Sequence, residues 1–451
     1  MITYPEALKY IYDLDKYGIK LGLKNIEYLL SLLDNPHLKL NIIHVAGTNG
    51  KGSTSSLICS ILKSAGFKVG LYTSPHLVDF TERIKINYRS INQKKVATLL
   101  ERIKPLVEKV AHTPYYTHPT FFEVITAMAF IYFFEEKVDF LVLEVGLGGR
   151  LDATNVCEPL ISVITHIDYD HMDKLGNSLE EIAREKGGII KSGGIVITSN
   201  QVEKVDQEIN KIARQRNSII YKVGREIKYE IIKSDLKGII FNLHGIYNNY
   251  INLPTPLLGR HQAENAATAI TAVEALKIKG ICISEKEIRD GLEKVKWPGR
   301  LEIIQKNPMI VLDGAHNPNG MKVVRQTLEE IFYHHRLVLV LGIFADKDYK
   351  EMIKIIAPLA DLIIATKAKN PRATPPQIIA KEAAQYIDRN KIMVTKNIPQ
   401  AINHAIFNSN EDDLICITGS LYTVGEAKRY FIKKNQKNVG AYCIRPRKNK
   451  R

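Results

Sequence analysis

The stretch Ile42-Ile43-His44-Val45-Ala46-Gly47-Thr48-Asn49-Gly50-Lys51-Gly52-Ser53 constrains this chain more than any other. An apolar, β-branched run predicts a strand, a glycine-rich turn with one lysine follows, and Thr54 to Ser64 has helical character. Strand, loop and helix in that order can cradle a phosphate. Glycines let successive backbone N–H groups converge on the anion, and the helix N-terminus adds partial positive charge. Lys51 supplies a full charge for the outer phosphates. The spacing departs from G-x-x-x-x-G-K-[ST], because Gly52 stands between Lys51 and Ser53. An ordinary glycine-rich loop is the competing reading, and strand, lysine and hydroxyls together argue against it.

Further along, apolar runs alternate with helical patterns. Tyr4 to Leu33 reads as amphipathic helical material around Gly18-Ile19-Lys20-Leu21-Gly22-Leu23. Lys68 to Tyr72 is a predicted strand ending in Thr73-Ser74-Pro75-His76-Leu77, and Pro119 to Glu136 a predicted helix. The strand Phe140 to Val145 stops at Gly146-Leu147-Gly148-Gly149-Arg150, and Leu160 to Thr165 leads to His166-Ile167-Asp168-Tyr169-Asp170-His171. Polar residues gathered just past strand ends predict a mostly parallel α/β sheet of P-loop ATPase type, with ligands at the carboxyl edge. From Ile219 to Leu253, short β-like runs such as Lys228 to Ile232 and Gly238 to Leu243 predict a small antiparallel sheet. Strands then restart at Met309–Leu312, Leu337–Leu341, Leu362–Ala365 and Leu414–Ile417, a smaller Rossmann-like α/β domain. Expected domains are therefore 1–296 and 297–435, with a basic, unstructured tail over 436–451.

Composition bounds the function. At 451 residues two or three domains are expected, and 45% hydrophobic with 25% charged residues is ordinary for a soluble protein. The start lacks a signal-peptide pattern, and the apolar run Phe121 to Phe134 is too short to span a bilayer and contains Glu123. Five cysteines without a CxxC pair point to a reducing cytoplasm and no cysteine metal site. Of the net charge of +15, ten Lys or Arg lie from Lys428 onward with no acidic residue. The excess is thus a local basic tail, and no nucleic-acid recognition module accompanies it.

Several residues carry chemistry on their own reading. Glu144 ends a buried strand, where a carboxylate costs free energy unless charged partners or a metal compensate it. It is a candidate Mg²⁺ ligand or a cap for the loop. His171 sits among Asp168, Asp170 and Asp173, a cluster able to hold metal, or is a structural loop histidine. Ser74 is an oxygen ligand or a turn residue, and Lys186 by itself reads as a solvated lysine. Asp313 could hydrogen-bond ribose or position Arg300, and His316 could reach a phosphate; a bare turn at Asp-Gly and Asn-Pro is the alternative. Thr418-Gly419-Ser420 has the same placement after a strand.

These motifs, together with Gly149-Arg150-Leu151-Asp152-Ala153-Thr154-Asn155, Arg184-Glu185-Lys186 and His261-Gln262, resemble the folylpolyglutamate synthase/dihydrofolate synthase family of the Mur-ligase superfamily. The resemblance runs from about Leu21 to Arg429. It implies an ATP-dependent ligase that phosphorylates a folate carboxylate and lets the amine of glutamate displace the phosphate. By motif, it implies that Lys51 and the backbone of Gly47, Thr48, Asn49, Gly50, Gly52 and Ser53 hold ATP. Ser74, Glu144 and His171 would bind Mg²⁺, and Lys186 matches a carbamylated lysine supporting a second Mg²⁺. Lys51, His171 and Lys186 form the implied catalytic set. Asn265, Arg300, Asp313 and His316 match ATP contacts. Phe122, Asp152 and Ala153 match the folate site of bifunctional members, and Ser420 belongs to the second domain's motif. A monovalent cation is left open. The implied partners are small molecules (reduced folate or dihydropteroate, L-glutamate, ATP), with no obligatory nucleic acid, no membrane and a monomeric chain.

Two departures stand out: Gly187-Gly188, where alanine-glycine is usual, and Asn87-Tyr88-Arg89, where the family often has a glycine turn. The extra glycine would loosen the helix carrying Lys186, since Gly costs about 1 kcal/mol relative to Ala. Rival readings are another Mur-type amino-acid ligase and a nucleotide-dependent nucleic-acid-binding ATPase. The first usually carries an additional domain ahead of the loop, where only about forty residues stand here. The second gives Glu144, His171, Lys186 and Asp313 to Pro318 no role.

Overall fold

Period-two burial organises the first sheet. In the computed structural model, which describes residues 2–18 and 20–443, Ile43 and Val45 join one apolar core while Ile42 joins another. Val142, Leu141 and Leu143 divide in the same way. A strand buried on both faces reads as a continuous apolar run, which is why these segments are so apolar. The strands are β1 (Ile42–Ala46), β2 (Val69–Tyr72), β3 (Ile84–Ile86), β4 (Arg89–Ser90), β5 (Phe140–Glu144), β6 (Ile161–Ile164), β7 (Ile195–Thr198) and β8 (Ile219–Lys222). Among the described residues their spatial order is β4-β3-β2-β5-β1-β6-β7-β8. Only the pairs involving β3 and β4 at one edge are antiparallel.

The order reverses beside β1. From β1 the chain passes through helix Lys51–Ser64 to β2, and β5 later inserts between them, while β6 lies on β1's other side. This is a topological switch point, so the loops leaving β1, β5 and β6 share one crevice at the carboxyl edge. One face is covered by helices Lys51–Ser64 and His261–Ala275. The other is covered by Tyr4–Asp13, Gln93–His112 and Phe121–Glu135. The last is apolar on nearly all sides and is a core helix. Its buried Glu123 is explained by a capping box, with the Thr120 N–H donating to Glu123 Oε2 at 2.7 Å. No described helix is long and apolar enough to cross a membrane.

His37 is a buried histidine against the Phe130 ring, centroids 5.6 Å apart, and its Nδ1 has no hydrogen-bond partner. Burial lowers its pKa to about 4. Between that value and the unfolded value near 6.5, the unfolded chain binds more protons, so stability falls as pH drops through this window. His37→Leu is expected to be more stable than wild type, with a gap that widens from pH 7 to pH 5. Urea unfolding at both pH values checks this, and a constant gap would contradict it.

A three-stranded antiparallel sheet follows, β9 (Lys228–Asp235), β10 (Gly238–His244) and β11 (Asn249–Thr255), in the order β11-β10-β9. Ile219–Lys222, expected to open this small sheet, instead pairs parallel with β7 as β8 of the larger one. Half-exposed β-branched residues suit a sheet edge, so the local sequence does not reveal which sheet a strand joins.

The chain divides into two compact units, Met1–Trp297 and Pro298–Arg451. The second holds β12 (Glu302–Lys306), β13 (Met309–Leu312), β14 (Leu337–Leu341), β15 (Leu362–Ala365), β16 (Ile392–Val394) and β17 (Leu414–Thr418). Their order is β12-β13-β17-β14-β15-β16, parallel except for β12. The final helix spans Leu421–Cys443, so 436–443, expected within an unstructured tail, are helical. No proline occurs between Leu421 and Cys443 to stop it. The rest of the expected tail, 444–451, lies outside the described residues.

Candidate active site

The loop after β1 is shaped by what a side chain could not occupy. Gly47 has φ +149°, and a Cβ there would lie 1.9 Å from Thr165 Oγ1 at the end of β6. Gly50, at φ +89°, precedes helix Lys51–Ser64, and a Cβ there would lie 2.4 Å from Asn265 Oδ1. The loop is pinned from behind: Thr48 and Asn49 N–H groups donate to the His166 carbonyl at 2.9 and 3.1 Å. The Thr48 hydroxyl donates to the Asp168 carbonyl and accepts from the Asp168 N–H. No side chain caps helix Lys51–Ser64, whereas Tyr4–Asp13, Phe121–Glu135 and Leu179–Gly187 carry capping boxes. First-turn N–H groups without a capping side chain suit an anion.

Two lysines converge on one carbonyl of this loop. Lys51 Nζ donates to the Gly47 and Thr48 carbonyls at 3.0 and 3.2 Å. Lys186 Nζ, on a buried residue, donates to the same Gly47 carbonyl at 2.9 Å. The helix carrying Lys186 ends at Gly187, where a Cβ would lie 2.6 Å from Ile212 Cδ1, so Ile212 fills the space that an alanine would take. At the other departure, Asn87 and Tyr88 have φ of 49° and 68°. In this turn the Tyr88 hydroxyl donates to the Ser56 carbonyl at 2.7 Å and Asn87 Oδ1 accepts from the Val69 N–H at 2.9 Å.

Ser74 and Glu144 meet at the next two strand ends. The Ser74 N–H donates to Glu144 Oε2 at 3.2 Å, and Glu144 is 4% exposed. A serine next to a buried carboxylate brings oxygen donors of the hard kind to these strand ends, which fits Mg²⁺. The cluster expected around His171 does not form. Among the described residues, no three or more His, Cys, Asp or Glu are placed to hold a metal. His171 takes a left-handed conformation ahead of the short helix Met172–Leu175. Asp173 faces solvent beside Lys174, and Asp168 accepts from the Tyr169 N–H. Asp170 accepts from the His171 N–H, with the imidazole Nε2 3.8 Å from its Oδ1. Asp170 and His171 thus lie side by side, while Asp168 and Asp173 make other contacts.

Phe122, Asp152 and Ala153 converge on the loop after β5. A Cβ on Gly146 would lie 2.4 Å from Phe122 Cζ, and the Leu147 N–H donates to Asp152 Oδ2 at 2.8 Å. Buried Ala153 opens the 3-10 turn Ala153–Val156. Burial raises the Asp152 pKa, opposed by the hydrogen bonds from Thr154 and Leu147. Helix His261–Ala275 brings Gln262 and Asn265 to the loop after β1. Asn265 Nδ2 donates to Gln262 Oε1 at 2.9 Å, and Gln262 Nε2 donates to Ser53 Oγ at 3.5 Å.

In the second unit, Asp313 follows β13 and holds the backbone around it. Its oxygens accept from the Leu301 and Ala315 N–H groups at 2.9 and 2.8 Å. Burial raises its pKa, with Arg300 acting in the opposite direction. A Cβ on Gly314 would lie 2.3 Å from Arg300 Nη1, so glycine is needed for the guanidinium to lie there. The imidazole of His316 donates from Nδ1 to the Gly314 carbonyl at 3.0 Å. Ser420 Oγ accepts from the Thr423 N–H and donates to Thr423 Oγ1, beginning the last helix. Because β17 lies between β13 and β14, these loops share one sheet edge.

Matches to known proteins agree with this geometry. Residues 45–273 match the Mur ligase middle domain, and residues 299–421 the Mur ligase glutamate ligase domain. The chain is 37% identical over 429 residues to the dihydrofolate synthase/folylpolyglutamate synthase of Bacillus subtilis, covering 95% of this chain and 99% of that one. The chain belongs to the dihydrofolate synthase/folylpolyglutamate synthase family. This family includes the Mycobacterium tuberculosis folylpolyglutamate synthase complexed with ADP, similar at TM-score 0.88 and 32% identity over 95% of this chain and 99% of that one. A structure from Escherichia coli in complex with DHPP and ADP is similar at TM-score 0.86 and 29% identity, over 96% and 99%.

Two features of this family member escaped the sequence reading. The His166 carbonyl anchors the glycine-rich loop after β1 through backbone atoms, which leave no side-chain signature. Trp297 lies against Gly52, where a Cβ would come 2.4 Å from its Cζ2. Its available signal was that the chain holds one tryptophan, next to Pro298-Gly299-Arg300.

Proposed function

We propose that this chain joins L-glutamate to folate carboxylates at the expense of ATP, accepting both dihydropteroate and tetrahydrofolate. The observation that carries this reading is the convergence of Lys51 and Lys186 on the Gly47 carbonyl at an uncapped helix N-terminus, with Glu144 and Ser74 together at neighbouring strand ends. Solved relatives in complex with ADP support a nucleotide as a ligand of this chain.

A carboxylate is a poor electrophile, and phosphorylation turns one of its oxygens into a leaving group. The acceptor carboxylate oxygen bonds to the γ-phosphorus as the bond to ADP breaks, giving an acyl phosphate. The glutamate amine then adds to the carbonyl carbon, and the tetrahedral intermediate collapses with loss of phosphate and a proton. Positioning and charge neutralisation dominate phosphoryl transfer. Lys51 and the first-turn N–H groups would hold the phosphates, with Asn265 beside them. Glu144 and Ser74, with His171 and a carbamylated Lys186, would hold Mg²⁺, which when bound supplies charge neutralisation on the phosphates. Arg300, Asp313 and His316 are assigned to ATP, and Phe122, Asp152 and Ala153 to the pterin of the acceptor.

The test is phosphate release with Mg-ATP and glutamate, adding dihydropteroate or tetrahydrofolate separately and identifying products by mass. Turnover with both is expected. Tetrahydrofolate alone would restrict the chain to polyglutamation. Hydrolysis driven by a polynucleotide without folate would overturn the reading.

A further inference from the structure

A buried polar chain runs from the assigned acceptor site into the middle of β1, and no step above uses it. Asp152 Oδ1 accepts from the Thr154 N–H at 3.0 Å and lies 2.5 Å from the Thr154 hydroxyl. That hydroxyl is 2.8 Å from His44 Nε2, and His44 Nδ1 is 3.7 Å from Cys157 Sγ. His44 and Thr154 are fully buried, and His44 stands three residues before Gly47.

The Thr154 hydroxyl donating to Asp152 sets the order of the chain, and the protonation of its other members agrees with it. Burial raises the Cys157 pKa to about 12, so it is a thiol with an S–H to give. Burial lowers the His44 pKa to about 3, so its imidazole is neutral and carries one N–H. An S–H on Cys157 makes Nδ1 the acceptor, and the imidazole proton then sits on Nε2. Thr154 Oγ1 receives that proton's hydrogen bond and gives its own to Asp152, whose Oδ2 accepts from Leu147. Each donor is used and each points toward the carboxylate. The reverse order needs a protonated Asp152 and an imidazole N–H donating to sulfur, a weak acceptor.

We propose that Thr154 and His44 are positioning residues that hold the Asp152 side chain as an acceptor in one orientation and so set the affinity for the pterin-bearing substrate. This rests on the assignment of Asp152 to the acceptor site. A pterin presents N–H donors, and a site built to accept them loses affinity when its acceptor is misaligned.

The test pairs Thr154→Val, which keeps shape and loses the hydroxyl, with Thr154→Ser, which restores it. The expected result for Thr154→Val is an acceptor KM raised about 10-fold, the size of a lost hydrogen bond to a charged group. KM for ATP and kcat should stay within about threefold, and Thr154→Ser should recover the acceptor KM. An unchanged acceptor KM, or equal losses for acceptor and ATP, would overturn the proposal. Wild-type protein inactive with every folate would instead refute the function on which it rests. Independently of activity, ¹⁵N NMR of histidine-labelled wild type, with folded His44→Gln as assignment control, should show the proton on Nε2. A proton on Nδ1 would also overturn the proposal.

Discussion

Lys51→Ala is expected to lower kcat/KM for acceptor-dependent phosphate release on the order of 10³-fold, a loss typical of removing a charged group that stabilises a transferring phosphoryl. Lys51 Nζ is already held by the Gly47 and Thr48 carbonyls, so the ammonium is placed at the loop before any nucleotide arrives. A preorganised charge needs no reorganisation during reaction, which is why its removal is so costly. The loop's shape does not depend on this side chain. Gly47 is fixed by Thr165, Gly50 by Asn265, and Thr48 and Asn49 by the His166 carbonyl. The variant should therefore melt within a few degrees of wild type while ATP binding weakens in calorimetry. A loss of less than about tenfold in a folded variant would remove Lys51 from the chemistry and leave the helix N-terminus as the phosphate holder.

The loop illustrates what sequence made legible. Glycines, a lysine and a strand in a fixed order can be read because each has a local physical reason, and the same holds for Glu144 at the end of an apolar strand. The assignment of Phe122 and Asp152 to one place came from family resemblance, since the two lie thirty residues apart and meet only through Gly146 and Leu147. Where local pattern failed, the missing information was tertiary. Asp168, Asp170, His171 and Asp173 form a cluster in sequence, but in the fold only Asp170 stays beside the His171 imidazole, while Asp168 accepts from the Tyr169 N–H and Asp173 lies beside Lys174. Ile219–Lys222 has the pattern of either sheet, and only its pairing with β7 decides. The chain from Asp152 to Cys157 includes His44, whose position among apolar residues gave no sign of a polar partner 110 residues away.

Glu144→Gln separates function from structure at the most apolar of the predicted site positions. If Glu144 only caps its loop, the carboxylate is there to accept the Ser74 N–H, and glutamine keeps that acceptor and the volume. Activity would then fall little. If it serves a cation, the charge itself matters, and its cost is visible: taking a carboxylate out of water carries a penalty of several kcal/mol. Glutamine removes that penalty and keeps the hydrogen bond from Ser74, which is worth about 1 kcal/mol. The expected result is a Tm equal to or above wild type. Activity at fixed Mg²⁺ should fall by about 10²-fold, and the Mg²⁺ concentration for half-maximal rate should rise at least about tenfold. A lower Tm with near-normal Mg²⁺ dependence would assign the carboxylate to the fold. Equal or greater stability with lost activity means that this strand end carries a charge the fold does not need, which is the signature expected of a residue kept for its ligand.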